Sequence, residues 1–204
     1  MSYSEFTLSQ LESEFNLILQ ERVEIFKDIT PVTPSPLLRE ILEENIPLAL
    51  EIDTEKARSE LIIAPIMVEL RKYFNSQISF FSGVDFTVEK SKGLTGRCDF
   101  IISYSPKQLE VTAPVVALVE AKNDNIKSGI AQCIAEMVGA QIFNQRKQNQ
   151  IPCIYGVITT GTNWKFLRLV ENKVDIEGGE YFIGDLDGLF GILLEIIETT
   201  HPLA

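Results

Sequence analysis

Histidine is almost absent from this sequence and cysteine is scarce. The one histidine, His201, stands near the end of the chain, and Cys98, Cys133 and Cys153 form an odd, scattered set with no C-x-x-C spacing. A disulfide framework, a Cys/His zinc site and imidazole catalysis are all disfavoured. The three thiols read as small core residues. Long apolar runs are missing too: none approaches the roughly 18 residues that a bilayer-spanning helix needs. The opening MSYSEFTLSQLESEF has neither the basic start nor the apolar centre of a secretory signal. A soluble, cytoplasmic protein with no membrane partner is expected. Positive charge is also short, with 18 basic against 29 acidic side chains and a net charge of −11. That balance excludes a generic nucleic-acid-coating surface, which relies on Lys and Arg. The shortage is uneven: residues 1–60 hold 13 of the acidic but only 5 of the basic side chains.

What remains, 45% hydrophobic and 23% charged residues, is ordinary for a globular chain able to bury a substantial core. Thr7 and Gln10 have capping-box spacing, and Leu8, Leu11, Phe15, Ile18, Leu19 and Phe26 recur at helical spacing, so an amphipathic helix is predicted over 8–27. The segment ITPVTPSP breaks it, and Ser35-Pro36 starts a short helix that Pro47 should end. Residues 1–52 thus read as a helical extension packed on the core, and 53–204 as the main domain. A third helix is expected from Asp53 or Thr54 to Phe74, bent near Pro65. In it, Glu60 precedes Ile63, Ala64 and Met67 by three, four and seven residues, which turns a carboxylate toward the interior.

From residue 77 the pattern changes to strands: ISFF, FTVEK, GRCDFIISYS, a short LEVT and VVALVEAK. A helix over 126–147, strands over 153–160 and 164–170, and a final helix over 186–198 follow. The fold class is α/β, a mixed sheet flanked by helices. Trp164, at the head of an alternating strand, reads as core. Lys90, Lys92, Arg97, Lys165 and Arg168 could line a phosphate groove or be ordinary solvated charges.

The chemistry concentrates in VVALVEAK. Val116, Leu118, Glu120 and Lys122 alternate onto one face, so two ionisable groups end an otherwise buried strand face. Their desolvation requires mutual pairing or a metal. Asp99 begins the apolar run of the preceding strand and would reach Glu120 and Lys122 if the two strands pair. Two adjacent carboxylates repel unless a cation joins them, and oxygen ligands suit Mg²⁺, with Mn²⁺ as a substitute. A lysine two residues on can hold or deprotonate an attacking water and offset charge on a phosphate.

The series Glu60 on a helix, Asp99 after a turn, Glu120-Ala121-Lys122 at a strand end and a following helix with Gln132 resembles the PD-(D/E)XK nuclease superfamily, the restriction-endonuclease-like fold, over residues 53–170. The resemblance implies an αβββαβ core and Mg²⁺-dependent cleavage of nucleic acid, DNA in the first place. It implies Asp99, Glu120 and the Ala121 carbonyl as metal ligands, Lys122 as the catalytic lysine and Glu60 as the helix-borne acid. Cys98 replaces the Pro of the motif at a position that varies widely in the superfamily. Asp85 is a rival first acid, set aside because the strand of Asp99 is longer and directly precedes that of Glu120. Gln132 and Glu136 share a helix face and either point to the site or form a solvated stripe. Homodimerisation is expected by analogy with enzymes that cut both strands. The alternative is a catalytically inactive relative of this fold, serving as an interaction or assembly module.

Overall fold

The structure, a computed structural model, describes residues 1–200; His201 lies outside them. In chain order, with residue ranges, it comprises α1 (Leu8–Phe15), β1 (Ile18–Val23), α2 (Pro36–Ile52), α3 (Glu55–Arg58), α4 (Ala64–Tyr73), β2 (Ser79–Asp85), β3 (Arg97–Ser103), β4 (Val115–Ala121), α5 (Ile130–Arg146), β5 (Ile154–Thr159), β6 (Asn163–Val170), β7 (Lys173–Glu177), β8 (Tyr181–Phe182) and α6 (Leu186–Thr199). The strands form one mixed sheet in the order β1-β7-β6-β5-β4-β3-β2, with β8 beside β6. β4 and β5 run parallel, as do β1 and β7, and the remaining neighbours are antiparallel.

Two apolar layers enclose the sheet. On one face Leu38 and Leu42 of α2, Ile66, Met67 and Leu70 of α4 and the apolar side of α6 cover Phe100, Val119, Val157 and Phe166. On the other, Cys133, Ile134 and Met137 of α5, with Tyr3 and Leu11, cover Ile101, Leu118, Ile158 and Leu167. β4 has helices on both sides, which is why all seven of its residues are buried. The pairings Ile102↔Ala117 and Ser103↔Val115 skip Val116. That bulge sends Val116 to the α4 and α6 face, while Leu118 keeps the α5 face. Trp164 is fully buried and its Nε1–H donates to the Gly161 carbonyl at 2.9 Å, a core role.

Several elements differ from the sequence expectation. The first helix stops at Phe15, because Asn16 adopts a left-handed conformation (φ 53°), and Ile18–Val23 pairs with β7 as a sheet edge. Residues 1–52 are therefore not purely helical. Pro47 does not end α2 but lies within it, and Asp53 (φ 52°) ends it instead. FTVEK contributes only an isolated bridge, Glu89 to Leu94, and LEVT forms no strand. β7 was hidden in NKVDIE, whose alternation is short and starts beside a turn.

Candidate active site

The site lies where β4 ends. The β3–β4 ladder stops at Phe100↔Val119, and past that point the Ala121 N–H donates to Asp99 Oδ2 at 2.8 Å. Asp99 is thereby locked to the backbone next to Glu120. On the α5 side, Lys122 Nζ donates to Glu120 Oε1 at 2.5 Å, and the Lys122 N–H donates to the Thr159 carbonyl of β5 at 2.8 Å. Glu120 is 2% exposed, and its Oε2 is buried with no hydrogen-bond partner.

Electrostatics bind these groups into one unit. Burial, then the charge of Asp99, pushes Glu120 up to about 7, against the opposing pull of Lys122. Burial also raises Asp99, although the Ala121 N–H, Lys122 and Arg97 favour its charged form. Burial opposes the charge on Lys122, but the Glu120 hydrogen bond and the charges of Glu120, Glu55 and Asp99 outweigh it and hold its pKa above the ordinary value. Lys122 is thus an ammonium group in this arrangement.

A different helix carboxylate, Glu55, exposed at the start of α3, interacts with the charges of Lys122 and Asp99, and partial desolvation raises its pKa. Thr54 caps α3, accepting from the Ala57 N–H at 3.1 Å, and so sets Glu55 at the first helical position. Glu60 is 64% exposed at its side chain and pairs with Lys56 at 3.3 Å. The cause is a π-helical turn over Ser59–Ile63 between α3 and α4. One extra residue rotates whatever precedes it by about 100° relative to a continuous α-helix, which invalidates the spacing that pointed Glu60 inward.

On α5, Gln132 is half-buried and its Nε2 donates to Glu136 Oε1 at 3.1 Å. Glu136 is fully buried, so the solvated-stripe reading fails for it. Burial first, and then the charge of Glu120, raises Glu136 well above the usual carboxylate range. Its Oε2, like the Tyr3 phenol oxygen, is buried without a partner. A polar layer therefore backs Glu120 from within the core. Gly129 is a residue that sequence reasoning missed. A Cβ there would stand 2.9 Å from Ile158, 3.0 Å from Lys122 Cε and 3.4 Å from Glu120 Cγ, so glycine is required by close approach to the site.

Other candidates lie elsewhere. Asp85 is exposed at the end of β2, opposite Arg97. The segment bearing Lys90 and Lys92 is tied through Glu89 to Arg146, in the last turn of α5 and about 20 Å along that helix from Gln132. Arg168 is spent on Asp175 at 2.8 Å, and Lys165 donates to the Gly179 carbonyl at 3.1 Å.

The donor set suits a hard cation. Asp99, Glu120, Glu55 and the Ala121 carbonyl at the strand end are all oxygen donors, and the partnerless Glu120 Oε2 is the kind of buried acceptor a cation would satisfy. Among the described residues no three His, Cys, Asp or Glu side chains are already gathered as a metal-holding group. No helix among them is long and apolar enough to cross a membrane. No protein-family model and no curated protein matches the chain.

Proposed function

We propose that the chain is a Mg²⁺-dependent phosphodiesterase of the PD-(D/E)XK type, acting on nucleic acid and on DNA in the first place. The observation that carries this reading is the meeting of Asp99, Glu120 and Lys122 at one strand end, with one carboxylate oxygen buried and partnerless. The element order α4, β2, β3, β4, α5, β5, with β5 parallel to β4, supports a restriction-endonuclease-like core.

In this reading Asp99, Glu120 and the Ala121 carbonyl hold Mg²⁺, and Glu55 takes the place that the sequence pattern offered to Glu60. Bound Mg²⁺ supplies Lewis-acid polarisation of the phosphate and lowers the pKa of the attacking water. Lys122, an ammonium group on the stem beside Gly129, donates to that water and offsets negative charge growing on the phosphate. Asp99 keeps its position because the Ala121 N–H holds one of its oxygens. Glu136 and Gln132 support Glu120 from behind. A net charge of −11 opposes phosphate approach, so substrate capture depends on groups close to the site.

Cleavage of DNA with Mg²⁺ or Mn²⁺, beside Lys122→Ala, tests the proposal; equal cutting by both proteins overturns it. One observation favours the alternative of an inactive assembly module: Leu37, Leu48 and Ile52 are exposed on α2. Calorimetric metal titration separates the two, because the module needs no Mg²⁺ and the enzyme must lose it on Asp99→Ala.

A further inference from the structure

A cleft of about 470 Å³ opens beside the loop that follows Lys122. It is within the about 300–1,000 Å³ typical of small-ligand sites. Arg58 of α3, the loop Asn123–Lys127 after β4 and the β5–β6 turn at Thr160–Asn163 form its walls. It neighbours the proposed active site along the chain: Asn123 follows Lys122, and Arg58 lies about one helical turn beyond Glu55.

Arg58 builds the cleft rather than binding in it. Arg58 is only 9% exposed, and each of its three guanidinium nitrogens makes a hydrogen bond. Nε donates to Asn123 Oδ1 at 3.1 Å, Nη1 to the Thr160 carbonyl at 3.2 Å and Nη2 to Asp53 Oδ1 at 3.1 Å. This brace fixes the carboxamide of Asn123, whose oxygen is used and whose Nδ2 has no acceptor among the described residues. Asn125 is set in the same way, with Oδ1 accepting from the Lys127 N–H at 3.0 Å. Lys127 is exposed and makes no ion pair among them. The loop wall therefore presents two amide donors and an ammonium group, with the exposed Asp124 carboxylate among them. The far wall presents acceptors, with Glu180 bound to Asn163 Nδ2 at 3.2 Å.

Donors on the loop wall suit a phosphate and the carbonyls of a base, and acceptors opposite suit a base amino group. No aromatic ring lines the cleft, so a base would be held by its edge and not by stacking. We propose that this cleft binds one nucleotide, the one next to the scissile phosphate, with Asn123, Asn125 and Lys127 as its binding residues. The placement beside the scissile group rests on the nuclease reading; the nucleotide binding itself does not.

The test is equilibrium binding of the four deoxynucleoside 5′-monophosphates, and of inorganic phosphate, to the full chain by calorimetry or NMR. Lys127→Ala and Asn125→Ala, checked for folding by circular dichroism, should each weaken nucleotide binding about tenfold. Glu60→Gln, at an exposed residue that does not line the cleft, should leave it. No nucleotide binding by the wild type, equal binding by the Lys127 and Asn125 variants, or phosphate binding as tightly as the nucleotides overturns the inference. DNA cleavage without nucleotide binding rejects the cleft alone, and nucleotide binding without any cleavage rejects the nuclease alone.

Discussion

Replacing Glu120 by glutamine should stabilise the metal-free protein at alkaline pH. The wild-type carboxyl is 2% exposed and pushed up to about 7 by burial and by Asp99, whereas in the unfolded chain it titrates near 4.5. A raised carboxyl contributes stability fully below the unfolded value, and that contribution is lost as pH climbs through the folded one. Between 4.5 and 7 the folded protein therefore pays to become charged. At about 1.4 kcal/mol per pKa unit, the penalty above pH 7 is about 3 kcal/mol. Glutamine avoids it but weakens the contact that Lys122 makes to Oε1 at 2.5 Å, which leaves a net gain of about 1–3 kcal/mol. For a chain of this size that is about 2–12 °C in Tm. Thermal melts in chelator at pH 8 and at pH 4.5 measure it. The gain should be clear at pH 8 and absent at pH 4.5. A variant no more stable than wild type at pH 8 would refute the electrostatic account of the site.

Mg²⁺ binding should release a proton and weaken as pH falls below about 7, because the ion must displace the proton from Glu120; calorimetry in buffers of different ionisation heat measures the proton count. Glu55→Gln should reduce Mg²⁺ affinity about tenfold or more, while Glu60→Gln, outside the site, should leave it within twofold; the reverse pattern would restore Glu60 as the helix-borne acid. Gly129→Ala should lower activity and cost about 1–3 kcal/mol, read by urea unfolding, because its Cβ would press on Ile158 and Lys122. Tyr3→Phe removes a buried hydroxyl with no partner and should leave the Tm unchanged or raised.

Strong periodicity made much of the fold legible. α5, β5, β6 and α6 follow their helical and alternating patterns closely, and β4 does so from Ala117 on, past the bulge at Val116. Errors fell where two physical signals competed. Ile18, Leu19 and Phe26 fit a helical spacing as well as an edge strand, and only the left-handed turn at Asn16 separates them. Pro47 reads as a terminator, yet packing of Leu38, Leu42 and Ala49 carries the helix through it. In the candidate site, Asp99, Glu120 and Lys122 were legible because strand alternation and the β3–β4 pairing bring them together. Glu60 failed because a π turn is not encoded in simple periodicity, and its side chain stands exposed beside Lys56. Gly129 and the cleft behind Arg58 were invisible because they depend on contacts between elements far apart in sequence.

Metal-dependent cleavage is the most direct test of the central claim. Purified protein, incubated with double- and single-stranded DNA in Mg²⁺, Mn²⁺ or chelator, should cut with either cation and not in chelator. Asp99→Ala, Glu120→Gln and Lys122→Ala should each abolish cutting while remaining folded. Cleavage that survives in chelator, or in all three folded variants, would contradict the assignment of this strand end as a metal-dependent nuclease site.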